Sequence, residues 1–278
     1  MSKTKTLFIS DLDGTLLNSH AKITPVTAKI INKLIDDGLI FTYATARGLS
    51  SASKVAGDIN FKYPAVHHNG VCVQNPKTGE YFSRCIFDKE IISETIKKIR
   101  DNNLYPLVYA FIDGRERYSW ISGKETDYIK IFNEERKNDK RQRPVKDYGA
   151  FFEGDITELV FFGKNSEELQ EIPDILNLNE YFTYHVQEDT YISQYFLEII
   201  RFDAGKDSGV LKVKELVGAD KIICFGDNIN DIPMFNVSDE KYAPANAIGE
   251  IKNIATGIIG SNDNDGVAKW LEKYAMGY

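Results

Sequence analysis

Short, almost wholly apolar runs that stop at a polar residue alternate with amphipathic helices at both ends of this chain. That alternation restricts the fold more than any other feature. Leu7-Phe8-Ile9-Ser10 runs into Asp11, residues 39–44 end at Thr45, and Pro64-Ala65-Val66 runs into His67-His68-Asn69-Gly70. Between the first two, Thr24-Pro25 offers an N-cap followed by a proline at the first helical position. Ile30, Ile31, Leu34 and Ile35 then recur at helical spacing, and Gly38 supplies the stop. Near the C-terminus, a helix after Lys206 carries Val210, Leu211, Val213, Leu216 and Val217. It precedes the apolar strand Lys221–Phe225, which breaks at Gly226-Asp227, and further helices are expected from about Asp231 and Asp265. Strands apolar on both faces belong in a parallel sheet covered by helices.

The middle of the chain reads differently. Strand-like pieces at 104–111, 158–162 and 192–200 alternate with helical ones such as 91–99, and over half of the aromatic residues lie between Tyr105 and Phe196. We read residues 85–197 as an α+β cap domain inserted into a discontinuous α/β core, 1–84 and 198–278, whose parallel sheet is Rossmann-like. A length of 278 residues suits two such domains. The cap's aromatics are read mainly as core, although some could stack on a sugar or base.

The net charge of −7 falls within 85–197, and the rest of the chain is balanced. An acidic protein is a poor candidate for nucleic-acid binding. No apolar stretch approaches the ~20 residues a membrane span needs, and the N-terminus does not read as a secretory signal. Cys72, Cys85 and Cys224 lie far apart, outside any metal-ligand spacing, and read as small apolar residues in a reducing compartment. The expected location is the cytoplasm, as monomer or homodimer. The basic run at 136–146 is interrupted by Asp139 and reads as a solvated loop or helix face.

Chemistry enters with Asp11-Leu12-Asp13-Gly14-Thr15, directly after the first strand. By average residue usage, that pattern arises by chance in roughly one chain in several hundred. It also stands at a strand's carboxyl end, where open α/β sheets bind ligands. Gly226-Asp227-Asn228-Ile229-Asn230-Asp231 occupies the equivalent place after a late strand. In a parallel sheet both loops open on one edge, so Asp11, Asp13, Asp227 and Asp231 can converge. Two like charges ~4 Å apart repel by about 4 kcal/mol at an effective dielectric of 20. A hard divalent cation relieves this, and all-oxygen ligands favour Mg²⁺. The Thr45 hydroxyl, after the second strand, could hold phosphate oxygens. Lys206, just before the late helix with Asp207 or Ser208 as N-cap, could neutralise both a carboxylate and a phosphate.

The order Asp-x-Asp-Gly-Thr, strand-Thr, Lys, Gly-Asp-x-x-Asn-Asp resembles the haloacid dehalogenase-like phosphatases. The insert and His68-Asn69-Gly70 resemble the Cof-type subgroup, with its large α/β cap. The resemblance implies that Asp11 is the nucleophile, Asp13 the general acid/base and Thr45 a phosphoryl ligand. It implies that Lys206 orients Asp11, that Asp227 binds Mg²⁺ beside Asp11 and the Asp13 backbone carbonyl, and that Asn230 and Asp231 support the metal. Arg47, Asn69, Gly70 and Asn230 fall at positions near the substrate. Two departures stand out: Ala46 replaces the usual glycine of Thr-Gly-Arg, and Asp207 follows the lysine where glycine is common.

The implied activity is Mg²⁺-dependent hydrolysis of a small phosphorylated metabolite, with sugar phosphates first and cofactor phosphates behind. A dehalogenase would have no use for an acid at Asp13, because halide leaves without a proton. A phosphomutase or phosphotransferase would share the aspartyl-phosphate. A receiver module would place its phosphorylated Asp and acidic pair after different strands and would lack the insert. A non-catalytic phosphate-binding protein would not need the whole motif set.

Overall fold

The computed structural model describes residues 4–189 and 194–276. The chain divides into two compact units: one runs to Arg84 and resumes at Ala204, and the other is Cys85–Asp203. In chain order the first unit opens with β1 (Thr6–Ser10), α1 (Pro25–Asp36), β2 (Ile40–Tyr43), α2 (Leu49–Ala56), β3 (Ala65–His67), β4 (Cys72–Gln74) and β5 (Tyr81–Arg84). The second unit contains α3 (Lys89–Asp101), β6 (Leu107–Ile112), β7 (Arg115–Ile121), α4 (Asp127–Glu135), β8 (Gln142–Val145), α5 (Tyr148–Phe151), β9 (Asp155–Gly163), α6 (Ser166–Gln170), α7 (Ile172–Leu176), β10 (Phe182–Asp189) and β11 (Gln194–Arg201). The first unit then resumes with α8 (Lys206–Val217), β12 (Lys221–Phe225), α9 (Ile232–Asn236), β13 (Glu240–Pro244), α10 (Gly249–Ile254), β14 (Gly257–Ile259) and α11 (Gly266–Met276).

The core sheet has the order β14-β13-β12-β1-β2, with every pairing parallel. Leu7, Ile9, Ile222 and Cys224 pack on one face with Val210 and Val213 of α8, and Phe8, Phe41, Ile223 and Phe225 on the other with Ile31, Leu34 and Ile35 of α1. Each such buried side chain contributes roughly 1.5–3 kcal/mol relative to exposure. α1 starts as its sequence dictates: the Thr24 side chain accepts from Thr27 N, and Pro25 follows at a position that needs no amide donor.

The third apolar run does not join this sheet. β3 pairs antiparallel with β4, and β4 with β5, in a separate three-stranded sheet joined to the end of β2 by a single parallel bridge, Ala44–Val66. The reason is the turn at His68–Gly70, where His68, Asn69 and Gly70 all have positive φ and reverse the chain.

The second unit is a six-stranded sheet, β10-β11-β9-β6-β7-β8, antiparallel except for β7 with β8. Its alternate residues feed two clusters. One joins Val108, Leu159, Phe161, Leu197 and Ile199 to α3 and α5–α7, and the other joins Tyr109, Tyr118, Trp120 and Val160 to Ile129 of α4. The aromatics named there are therefore core. The unit extends to Asp203 because β11 runs through Arg201; a boundary at 197 cuts that strand. The expected strand at 192–200 begins with Ile192, which lies outside the described residues. The basic run is neither loop nor helix face throughout: 142–145 form the edge strand β8, and Arg141 is paired with Glu116 and Asp139. No helix among the described residues is long and apolar enough to cross a membrane.

Candidate active site

β1 ends between two neighbours. Asp11 N donates to Phe225 O of β12 at 2.8 Å, and Ala44 N, after β2, donates to Ser10 O at 2.9 Å. The following loops open at the carboxyl edge of the sheet, where connections to either side diverge and leave a crevice. Asp11 is buried there. Residues 12–16 form one tight turn closed by Leu17 N on Leu12 O at 2.8 Å, with Asp13 extended and Gly14 at φ +75°. Only glycine fits the latter position: the φ is left-handed, and a Cβ would fall 2.3 Å from Asp227 Oδ2.

Lys206 is the first residue of α8 and reaches into the sheet edge. Its Nζ donates to Asp11 Oδ1 at 2.6 Å and to Asp231 Oδ1 at 2.7 Å, with the lysine and Asp231 side chains both 0% exposed. Asp231 Oδ2 accepts from the backbone of Asp227 (2.9 Å) and Asn228 (3.1 Å), which folds the loop after β12 back on itself. Thr15 Oγ1 donates to Asp227 Oδ1 at 2.6 Å. Asp11, Asp227 and Asp231 each place a carboxylate oxygen within 4.8 Å of the others.

One ammonium faces three carboxylates, and the electrostatics show the strain. Burial pushes the Asp11 carboxyl well above the usual range; Lys206 opposes this, while Asp231, Asp227 and Asp13 add to it. Asp227 is pushed up to about 7, first by burial and then by Asp231. Burial pulls Lys206 down, but Asp11 and Asp231 outweigh it and hold the ammonium above its ordinary range.

The Asp13 carboxylate turns to Arg47, whose Nε donates to Oδ2 and Nη2 to Oδ1, both at 2.6 Å. Thr45 is buried; its amide donates to Val66 O at 3.0 Å, and its Oγ1 accepts from Arg47 N at 3.1 Å. Asn69 N donates to Thr45 O at 3.1 Å, and Asn69 Oδ1 accepts from Asn230 Nδ2 at 3.2 Å, which links two loops of the site. Gly70 is buried against α8: a Cβ there would lie 2.0 Å from Gly205 O, so the structure gives this glycine a packing duty.

The model of the haloacid dehalogenase-like hydrolases matches residues 8–271. The chain belongs to this family. It is 26% identical, over 96% of its length and 97% of the relative's, to the 5-amino-6-(5-phospho-D-ribitylamino)uracil phosphatase YwtE of Bacillus subtilis. Its structure matches TM0651 from Thermotoga maritima with a TM-score of 0.77 at 25% identity, covering 98% of this chain and 97% of that one. It shares its fold with the subclass IIB sugar phosphatase BT4131 at 19% identity, with a TM-score of 0.72 and coverage of 98% and 99%.

Both departures of this hydrolase from the family pattern have local explanations. Ala46 does not have a positive φ, so glycine is not required there. Asp207 lies in the first turn of α8, where a carboxylate suits the helix N-terminus. The N-cap is Gly205, correcting the expectation of Asp207 or Ser208; Ser208 Oγ accepts from Gly205 N at 3.2 Å and donates to Gly205 O at 3.0 Å.

Sequence reading passed over two asparagines. Asn246 Nδ2 donates to Gly14 O at 2.7 Å, and its Oδ1 accepts from Asn262 N at 3.0 Å, while Asn262 Nδ2 donates to Leu17 O at 3.0 Å. Both follow the carboxyl ends of the last two core strands, which was the signal available. Asn246→Ala removes a hydrogen bond to the turn that carries Asp13, a net loss of about 1 kcal/mol. We expect the melting temperature to fall by about 2–4 °C and kcat/KM to fall by up to about fivefold, as a melting curve and steady-state kinetics will show.

The acidic cluster also meets a test of fit for a divalent cation. Its donors are oxygens only, they converge, and the single ammonium of Lys206 does not balance three acids, the combination that suits Mg²⁺.

Proposed function

We propose that this hydrolase is a Mg²⁺-dependent phosphomonoesterase acting on small phosphorylated metabolites through an aspartyl-phosphate. The observation that carries the reading is the Asp11–Lys206–Asp231 arrangement at the sheet edge, with Asp13 two residues from Asp11. A buried carboxylate held by a lysine is fixed in direction, as an in-line nucleophile must be. Asp11 attacks phosphorus and the bond to the leaving oxygen breaks, while Asp13 gives that oxygen its proton. Asp13 then takes a proton from the water that hydrolyses the acyl phosphate. Thr45 and Lys206 hold phosphoryl oxygens, where positioning and electrostatics supply most of the catalysis. Mg²⁺, held by Asp11, Asp227, Asp231 and the Asp13 carbonyl, would offset the charge of the carboxylates and of the phosphoryl group.

Sugar and sugar-alcohol phosphates are the substrates to try first, since the YwtE relative is named for a phosphoribityl compound. The test is phosphate release with Mg²⁺ across a panel of sugar, alditol, nucleotide and flavin phosphates, with a sugar bisphosphate to reveal mutase activity. Isomerisation without phosphate release would overturn the reading.

The metal makes a separate prediction. Mg²⁺ at 100 times its Kd should stabilise the protein by about 2.7 kcal/mol, read as a rise in melting temperature. Chelation should abolish activity. Asp227→Asn should lose most of the thermal shift, because it removes charge from the cluster while keeping volume.

A further inference from the structure

Arg47 was expected beside the substrate, and the structure gives it another partner. Its guanidinium grips both oxygens of Asp13 at 2.6 Å in a fork, and its remaining nitrogen, Nη1, donates to Ser51 Oγ of α2 at 2.9 Å. Its own amide is bound to Thr45 Oγ1 at 3.1 Å and its carbonyl accepts from His68 N at 3.2 Å, so the residue is anchored at both ends. The Asp13 and Arg47 side chains are 36% and 20% exposed, which places the pair at the mouth of the site, whereas the Lys206 pair is interior. A two-point contact fixes the plane of a carboxylate as well as its position, which a single lysine contact cannot do.

From this geometry we infer that Arg47 is a positioning residue for the acid/base Asp13, with Ser51 steadying the guanidinium. The inference rests on the phosphomonoesterase reading. In the first step Asp13 passes its proton to the departing alkoxide and becomes a carboxylate; the fork seen here is the contact that receives that carboxylate. The same fork then aims it at the hydrolytic water.

The role has a signature that phosphate binding or a general structural role lacks. An alkoxide needs the proton from Asp13, whereas 4-nitrophenolate leaves without one. Every substrate carries the same phosphoryl group, so loss of a phosphate contact lowers kcat/KM equally for all of them. The measurement is kcat/KM, which reports the chemistry up to phosphoryl transfer, for glucose 6-phosphate and 4-nitrophenyl phosphate. It would be made on wild type, Arg47→Ala, Arg47→Lys, Ser51→Ala and Asp13→Asn, all with Mg²⁺.

General acid catalysis contributes typically 10²–10⁴-fold. Arg47→Ala should therefore lower the ratio of the sugar to the aryl substrate at least about 30-fold, approaching the drop in Asp13→Asn. Arg47→Lys should restore little of it, Ser51→Ala should lower it a few-fold, and added guanidinium ion should partly restore Arg47→Ala. An equal loss on both substrates overturns the inference and leaves the phosphatase reading standing. Where glucose 6-phosphate is not turned over, the alkyl phosphate hydrolysed fastest in the panel takes its place; if wild type hydrolyses no phosphate ester, that reading fails, and a second measurement still decides the pair. The Arg47 Nε–H signal in ¹⁵N NMR, identified by its loss in Arg47→Lys, should move in Asp13→Asn, and an unmoved signal overturns the inference.

Discussion

Asp11→Asn is expected to lower phosphate release by at least about 10⁴-fold at saturating Mg²⁺, the scale seen when a nucleophile is removed. An amide oxygen is a poor nucleophile, and the residue offers no other atom at the end of β1. The substitution keeps volume and should leave the fold intact. It removes one of three acidic groups that share a buried site, and Lys206 keeps Asp231 at 2.7 Å. The melting temperature without metal should therefore change little, which separates a chemical defect from misfolding. Rapid acid quench of wild type with ³²P-labelled substrate should leave label on the protein, and Asp11→Asn should leave none. Retained turnover in the variant would mean that phosphorus is attacked by something else, with Asp11 only a metal ligand.

How much of this site was legible in the sequence depended on whether a role is local. Asp11 and Asp227 follow apolar strands, and in an all-parallel sheet the loops after such strands open on one edge, so strand pattern alone allowed their convergence; that β1 and β12 are neighbours comes from the structure. The start of α1 was equally local, because Thr24 caps it with its own side chain. Four features were not legible, each for a physical reason. The sheet membership of β3 depends on the backbone of His68, Asn69 and Gly70, whose left-handed run turns the chain away from the core sheet. Non-glycine residues adopt that conformation only when their surroundings impose it. The partner of Arg47 depends on the direction of a long side chain, which spacing does not specify. Asn246 and Asn262 act through a turn more than 200 positions earlier, and a lone asparagine after a strand ordinarily signals only a loop. The inserted unit followed its aromatic content, but β8 at its edge was hidden because Arg143 and Pro144 read as loop residues; an edge strand tolerates both.

The second large effect concerns Lys206, whose ammonium is the only cationic group hydrogen-bonded to Asp11 or Asp231 among the bonds described. Lys206→Met keeps most of the side-chain volume and removes the charge. Deleting one member of a buried ion pair costs about 3–5 kcal/mol, because the partner is left uncompensated; here two partners lose it at once. In chelator, urea unfolding should therefore show a loss at or above that range. The two acidic loops after β1 and β12 should loosen first, since Asp231 organises the second through two backbone amides. Added Mg²⁺ should return part of the stability, because a cation among Asp11, Asp227 and Asp231 relieves the same repulsion. Activity should stay low even then, by about 10²–10³-fold, the scale for losing one preorganised electrostatic contact, because the metal cannot also supply the lysine's hold on Asp11 Oδ1. Full recovery of turnover by Mg²⁺ would show that Lys206 is needed only to balance charge. Recovery of stability alone assigns it the further task of aiming the nucleophile, which its 2.6 Å contact with Asp11 already suggests.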